Sequence, residues 1–217
     1  MDLNEVMLNA PTTRRFLPDP VDSTVLRRVL GNARFAPSGG NRQGWRVIAV
    51  TDPDTRRALG DLYLPHWRAY TDAMGVGELL AKPRDDEDPR VRMLRRADEF
   101  ARSLGEVPLH LVVCVALGDL AIVDQSLDRP SIVGGASVYP FVQNVLLGLR
   151  NEGLGASLTT LLAPAEPQVK ELLAIPDDVV LAAYVLVGRR ADPWPVRLSR
   201  KPLEEFAFSE RYGQPLT

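Results

Sequence analysis

The chain has 217 residues, 45% of them hydrophobic and 25% charged, with a formal net charge of −2; these values suit one large domain with a buried core and lack the basic surplus of a protein built to grip nucleic acid. The lone cysteine, Cys114, excludes an intrachain disulfide and fits a reducing compartment. The start Met1-Asp2-Leu3-Asn4-Glu5 has no secretory pattern, and apolar runs of about ten residues fall short of the roughly 20 that span a bilayer, so a cytoplasmic protein with no membrane or nucleic-acid partner is expected.

Residues 3–10 predict a short first helix. Pro11 to Pro20 is punctuated by prolines and should be extended or turning. Asp22 is a suitable N-cap for the next helix, with Val21 and Leu26 at the hydrophobic-staple positions. Val25, Leu26, Val29, Leu30 and Ala33 then form one apolar stripe. Ala36-Pro37-Ser38-Gly39-Gly40-Asn41 is a loop by composition, Trp45 to Thr51 a strand, and residues 54–60 a short helix. Residues 61–104 differ in character. They carry Tyr63, Pro65, His66, Trp67 and Tyr70, then a charged break from Lys82 to Pro89 that reads as a solvated surface loop, then a charged helix through Met93, Leu94 and Phe100. The whole segment has the position of an insertion that covers a site, although its aromatics could equally just pack it onto the body.

Leu109 to Leu117 predicts a strand and Gly134 to Arg150 a long helix. On that helix Val138, Phe141, Val142, Val145, Leu146 and Leu149 share one face, and Ala136, Leu147 and Gly148 leave the other faces almost without charge. Such a helix must be buried in a core or against another subunit, and Pro140 should bend it near its start. A turn at Gly153 to Gly155 leads into a strand through Thr160, residues 167–174 form a short helix, and Val179 to Val187 another strand. The tail 188–217 has little periodicity and needs something to pack against, a partner subunit being one candidate. Interleaved strands and numerous helices give a layered α/β or α+β fold in a single domain, 1–217.

The sequence contains neither G-x-G-x-x-G nor G-x-x-x-x-G-K-[ST], so neither a Rossmann site nor a P-loop is supported. His110 and Cys114 fall in a strand and read as a core pair, not metal ligands. With two histidines and no nucleophile–base layout, the side chains are poorly equipped for acid–base work, and a bound cofactor is the better carrier of chemistry. Thr12-Thr13-Arg14-Arg15 offers hydroxyls and guanidiniums suited to a phosphate, or simply two surface arginines before a helix. In Ala36 to Trp45, the glycines permit close approach to a flat ligand, while Ser38, Asn41 and Gln43 offer donors and acceptors for a ring edge.

Taken together, Thr12-Thr13-Arg14-Arg15-Phe16-x-Pro18-Asp19-Pro20-Val21, then an amphipathic helix, then Ala36-Pro37-Ser38-Gly39-Gly40-Asn41-Arg42-Gln43-x-Trp45, resemble the nitroreductase family. Gln143 to Leu147 looks like that family's central dimer helix, Gly153-Leu154-Gly155 with Thr159-Thr160 like its loop at the flavin ring, and Ser199-Arg200-Lys201-Pro202 like its C-terminal phosphate-binding segment. The resemblance spans nearly the whole chain outside 61–104. It implies an α+β fold with a central mixed, mostly antiparallel sheet flanked by helices, assembled as an intertwined homodimer with a C-terminal arm from 188 to 217. It implies FMN as cofactor, held by Thr12, Arg14 and Arg15, by Pro37, Ser38, Gly39 and Asn41 from one subunit, by Thr159, Thr160 and Leu161 beside the ring, and by Arg200 with Lys201 or Arg197 at the phosphate. Many members carry an arginine upstream of Arg14, in the region where this chain has Pro11 and Ala10; either the spacing has shifted or Arg15 compensates.

The implied activity is hydride transfer from NAD(P)H through FMN to a nitroaromatic, quinone or similar small-molecule electron acceptor, in ping-pong order. No catalytic side chain and no metal is needed. Trp67 and Tyr70 are the candidate substrate contacts. The alternatives are a relative doing other flavin chemistry, such as dehalogenation, dehydrogenation or flavin cleavage; a flavin-storing protein with little turnover; and a structural dimer without flavin.

Overall fold

A computed structural model describes residues 1–83 and 88–216. Residues 84–87, the centre of the charged break expected as a surface loop, lie outside the described residues. Helices α1 (Leu3–Asn9) and α2 (Ser23–Ala33) lead into strand β1 (Trp45–Val50). Helices α3 (Pro53–Ala73), α4 (Gly77–Ala81) and α5 (Pro89–Arg102) follow, then β2 (Leu109–Ala116), α6 (Tyr139–Asn151), β3 (Leu154–Thr159), α7 (Glu166–Leu173) and β4 (Val179–Arg189). The fold is α+β.

The strands lie in the order β1-β2-β4-β3 and every neighbouring pair is antiparallel. The parallel contribution is one bridge, between Thr12 and Ala156. Strand β2 is buried almost from end to end, because both faces of the sheet are covered. Leu109, Leu111, Val113 and Val115 pack with α2 and α6 on one side. Val112 and Cys114 pack with Leu59, Tyr63 and Trp67 of α3, Phe100 of α5 and Val169 of α7 on the other. The apolar run of β2 thus alternates between two cores.

Local chemistry starts the helices where expected. The Asp22 side chain accepts from the Thr24 N–H, capping α2, and Val21 and Leu26 both pack on the core. Two expectations need correction. The short helix at 54–60 runs on to Ala73, straight through Pro65. Leu59, Tyr63, Trp67 and Thr71 recur every fourth residue and are all buried, so packing outweighs the lost backbone bond. Pro65 and Asp61, whose carbonyl loses its donor, are both exposed, and water can satisfy that carbonyl. The long helix expected from Gly134 is divided. Val133–Ser137 is a 3₁₀ turn, and α6 begins at Tyr139. Pro140 therefore sits in the first turn, where a missing N–H costs nothing, and does not bend the helix. Gly148 brings α6 against α2, since a Cβ there would lie 3.1 Å from Val29 Cγ1.

The N-terminal segment between α1 and α2 is tied to the far edge of the sheet. The Thr13 N–H donates to the Ala156 carbonyl at 2.8 Å, the Leu17 N–H donates to the Arg189 carbonyl at 2.8 Å, and the Ala191 N–H donates to the Arg15 carbonyl at 3.0 Å. Gly155 makes the approach possible. A Cβ there would meet Thr13 Oγ1 at 2.6 Å and its Cγ2 at 2.8 Å, and the Thr13 side chain is fully buried. Gly155→Ala should therefore destabilise the protein by about 1–3 kcal/mol through overpacking, and Thr13→Ala in the same chain should recover part of that loss. Urea denaturation of the two single variants and the double variant measures both terms; purely additive losses would mean the two residues do not meet.

Candidate active site

The docked segment alternates like a strand. Thr13 points into the protein, whereas Thr12 is exposed and Arg14 half-buried on the opposite side. Thr12 and Arg14 there form one wall of a cavity of about 340 Å³. Ser157 to Leu161, the end of β3 and the turn after it, form a second wall, in which the Leu161 N–H donates to Thr159 Oγ1 at 3.2 Å. The third wall is helical. Tyr63, Trp67 and Tyr70 lie at i, i+4 and i+7 of α3, and Ala97 and Phe100 at i and i+3 of α5, so each set shares a face. The Trp67 Nε1–H donates to Asp98 Oδ1 at 3.0 Å, fastening the α3 wall to α5.

Arg14 is the main charge of this cavity. Burial lowers its pKa, and the only ionisable group opposing that shift is Tyr63; no carboxylate pairs with Arg14 among the described residues. Burial in turn raises the Tyr63 phenol, against the pull of the Thr159 side chain and of Arg14. The cavity thus offers a guanidinium, a phenol that keeps its proton, and threonine hydroxyls between aromatic and aliphatic walls. This chemistry suits a flat ligand with one electron-rich edge.

A buried polar chain lies behind Tyr63. The Tyr63 ring is 6.4 Å from that of Tyr184. The Tyr184 hydroxyl is 2.6 Å from His110 Nδ1, and His110 Nε2 is 3.1 Å from the Leu104 carbonyl. A carbonyl only accepts, so Nε2 carries the ring proton and Nδ1 accepts from Tyr184. Burial, with the nearby Arg56 charge, lowers the His110 pKa from 6.5 to about 3. Cys114 is buried beside this core, and no group of histidine, cysteine and carboxylates among the described residues could hold a metal ion.

The sequence-derived site residues separate into four places. Thr12, Arg14, Trp67, Tyr70, Thr159, Thr160 and Leu161 meet in the one cavity. Arg15 turns outward and pairs with Asp192 at 2.9 Å. Pro37, Ser38, Gly39 and Asn41 line no part of the cavity. Their loop is held elsewhere, by the Gly39 N–H donating to Ser137 Oγ at 3.0 Å and the Gln43 N–H to Ser38 Oγ at 3.1 Å, with Gly40 at φ +60°. Arg200 and Lys201 lie on the C-terminal arm next to α1, where the Leu198 N–H donates to the Leu8 carbonyl at 2.8 Å; Lys201 pairs with Glu205. The arm thus packs at least partly on its own chain.

Tyr63, Ser157, Leu158, Ala97 and Phe100 also line the cavity and were not singled out as site residues from sequence. The spacing of Tyr63, Trp67 and Tyr70 was the available signal, hidden by ending the helix before Pro65. No helix among the described residues is long and apolar enough to cross a membrane.

The family model described as "Nitroreductase family" matches residues 11–189. A 5,6-dimethylbenzimidazole synthase of Rhodobacter capsulatus is 43% identical over 194 residues, covering 86% of this chain and 82% of that protein. A nitrobenzene nitroreductase of Ectopseudomonas oleovorans is 23% identical over 230 residues, covering 94% and 95%. Among solved structures, an FMN- and NADPH-dependent nitroreductase from sphigopyxis sp. strain HMH superposes with a TM-score of 0.67 at 22% identity, covering 98% of this chain and all of that one.

The His110 shift has a consequence for stability. Its folded pKa lies below its unfolded one, so between pH 6.5 and about 3 the unfolded chain takes up a proton that the folded chain refuses. Stability should therefore fall as the pH drops through that window, by up to about 1.4 kcal/mol per pH unit from this group. His110→Gln should lose that part of the slope. Urea unfolding of both proteins at pH 7, 6 and 5 checks it; parallel slopes would show that His110 does not stay neutral in the folded protein.

Proposed function

The chain belongs to the nitroreductase family, and we propose that it is an FMN-dependent oxidoreductase, acting as a homodimer, that passes reducing equivalents from NAD(P)H to a nitroaromatic, quinone or similar acceptor. The observation that carries this reading is the half-buried Arg14, without a carboxylate partner among the described residues, facing Thr159 to Leu161 across a cavity walled by Trp67, Tyr70 and Phe100. A buried guanidinium lacking a counter-charge is costly, and a ligand edge that is negative or becomes so offsets that cost.

The residues present fit a flavin ring. When bound, FMN supplies the hydride transfer itself, which asks for placement more than for proton traffic. Arg14 would hold a fixed positive charge against the electron-rich edge of the bound group, and a preorganised charge needs no rearrangement during reaction. Tyr63 keeps its proton at neutral pH and offers an O–H donor beside Thr159. Trp67, anchored to Asp98, and Tyr70, 46% exposed at the rim, are placed to limit water and to meet the acceptor. The loop Pro37 to Asn41 stands outside this cavity within one chain, and the homodimer reading has a second copy deliver it.

The 43% identity to a 5,6-dimethylbenzimidazole synthase favours a second reading, that the site performs other flavin chemistry. An assay for 5,6-dimethylbenzimidazole, run beside a screen of nitroaromatic and quinone acceptors, separates the two.

The purified protein should retain FMN through desalting, and NADPH or NADH should bleach its absorption without oxygen. Bands that neither nucleotide bleaches would replace this reading with flavin storage, and no retained flavin would end it. Arg14→Met should slow the bleaching by about 10- to 100-fold, as removal of a preorganised donor does. Tyr70→Ala should raise the acceptor KM several-fold while leaving the bleaching rate and the melting temperature unchanged; an unaltered KM for every acceptor would remove Tyr70 from the substrate site.

A further inference from the structure

A second arginine also exposes little surface and has no salt-bridge partner among the described residues. Arg150, in the last turn of α6, is 8% exposed. Its Nε–H donates to the Asn9 side-chain oxygen at 2.9 Å and to the Asn9 carbonyl at 3.3 Å. One terminal nitrogen meets the Met1 thioether, a weak acceptor, at 3.1 Å, and the guanidinium lies 3.9 Å over the Trp194 ring. All these partners are neutral. The other terminal nitrogen, Nη2, makes no hydrogen bond among the described residues. The charge of Glu5 only partly opposes the lowering of the Arg150 pKa by burial. A position near the negative end of the helix dipole explains a basic residue there, but not one mostly withdrawn from water, stacked on an indole and with a donor that no described residue accepts from.

That side chain lines a cavity of about 230 Å³, in which Thr12 is the other polar side chain among apolar residues such as Leu146, Leu154 and Leu158. Thr12 and Leu158 line the larger Arg14 cavity as well, so the two hollows share a wall. One ligand can therefore lie in both, its ring against Arg14 and its tail past Thr12. The smaller hollow also abuts Ala10 and Pro11, where Asn9 holds the guanidinium in place.

Building on the flavin reading above, we propose that Arg150 is the residue that binds the cofactor's phosphate monoester, with the Thr12 hydroxyl beside it, so that the two cavities form one site. An arginine presents paired N–H donors that match a phosphate in both geometry and charge. Stacking on Trp194 and the Asn9 contacts hold it ready, which reduces the ordering cost of binding.

The test compares two ligands that differ only in the phosphate. Dissociation constants for FMN and riboflavin are measured by flavin fluorescence on the full-length apoprotein, for the parent, Arg150→Met and Arg150→Lys. The expected result is a loss of FMN affinity of about 10- to 100-fold in Arg150→Met, the size of a lost hydrogen bond to a charged group, with riboflavin affinity unchanged. Arg150→Lys keeps the charge without the fork and should fall between them for FMN. It also decides the matter if Arg150→Met fails to fold: FMN affinity reduced relative to riboflavin supports the proposal, and equal change in the two ligands overturns it. Equal loss of both ligands in a folded Arg150→Met variant, or loss of neither, gives Arg150 a purely structural role. A parent protein that binds neither ligand refutes the flavin reading as a whole, an outcome distinct from a parent that binds FMN with no contribution from Arg150.

Discussion

The close approach of Thr13 to Gly155 is the contact on which the candidate site depends. The segment from Thr12 to Leu17 has no helix or hairpin of its own to fix it. Its backbone bonds to Ala156 and Arg189 hold it against β3 and β4, and the buried Thr13 side chain fits only because residue 155 has no Cβ. Once Thr13 is turned inward, the alternation of an extended chain turns Thr12 and Arg14 the other way. Two residues more than 140 positions from Thr159 in sequence thereby come to face it across one cavity.

Burial of the sheet on both faces supplies the remaining wall. One face is closed by α2 and α6, the other by α3, α5 and α7. The packing that keeps α3 helical past Pro65 also aligns Tyr63, Trp67 and Tyr70 on its inner side. The core thus builds the site as a by-product of its own stability: Tyr63 packs toward Tyr184 and His110 and also borders the cavity, and Trp67 is both a core residue and an anchored rim.

Electrostatically, the two cavities share one feature, an arginine withdrawn from water without a carboxylate beside it. Several exposed arginines elsewhere are paired, as Arg28 is with Glu152 and Arg15 with Asp192. Arg14 and Arg150 have no salt-bridge partner among the described residues, and a ligand's negative charge would offset the cost of withdrawing them from water.

The sequence by itself determined the local elements and the family pattern. The cap at Asp22, the apolar stripe of α2, the continuous run of β2 and the ordered motifs at 12–21 and 36–45 are short-range signals, and local physics reads them directly. It also identified seven residues that meet in the cavity, because the motif positions of Thr12, Arg14 and Thr159 to Leu161 do not depend on knowing how far apart they lie. Tertiary structure decided the rest. Whether α3 ends at Pro65 depends on what its inner face packs against, and propensity within a short window favours the wrong answer. Whether Arg15 serves the site depends on Asp192, 177 residues away, which draws it outward. Arg150 looks like an ordinary basic residue closing a helix; only the fold carries Asn9 and Trp194 around it and leaves it beside Thr12. Charge pairing and burial are properties of neighbours in space, and the linear order of residues does not contain them.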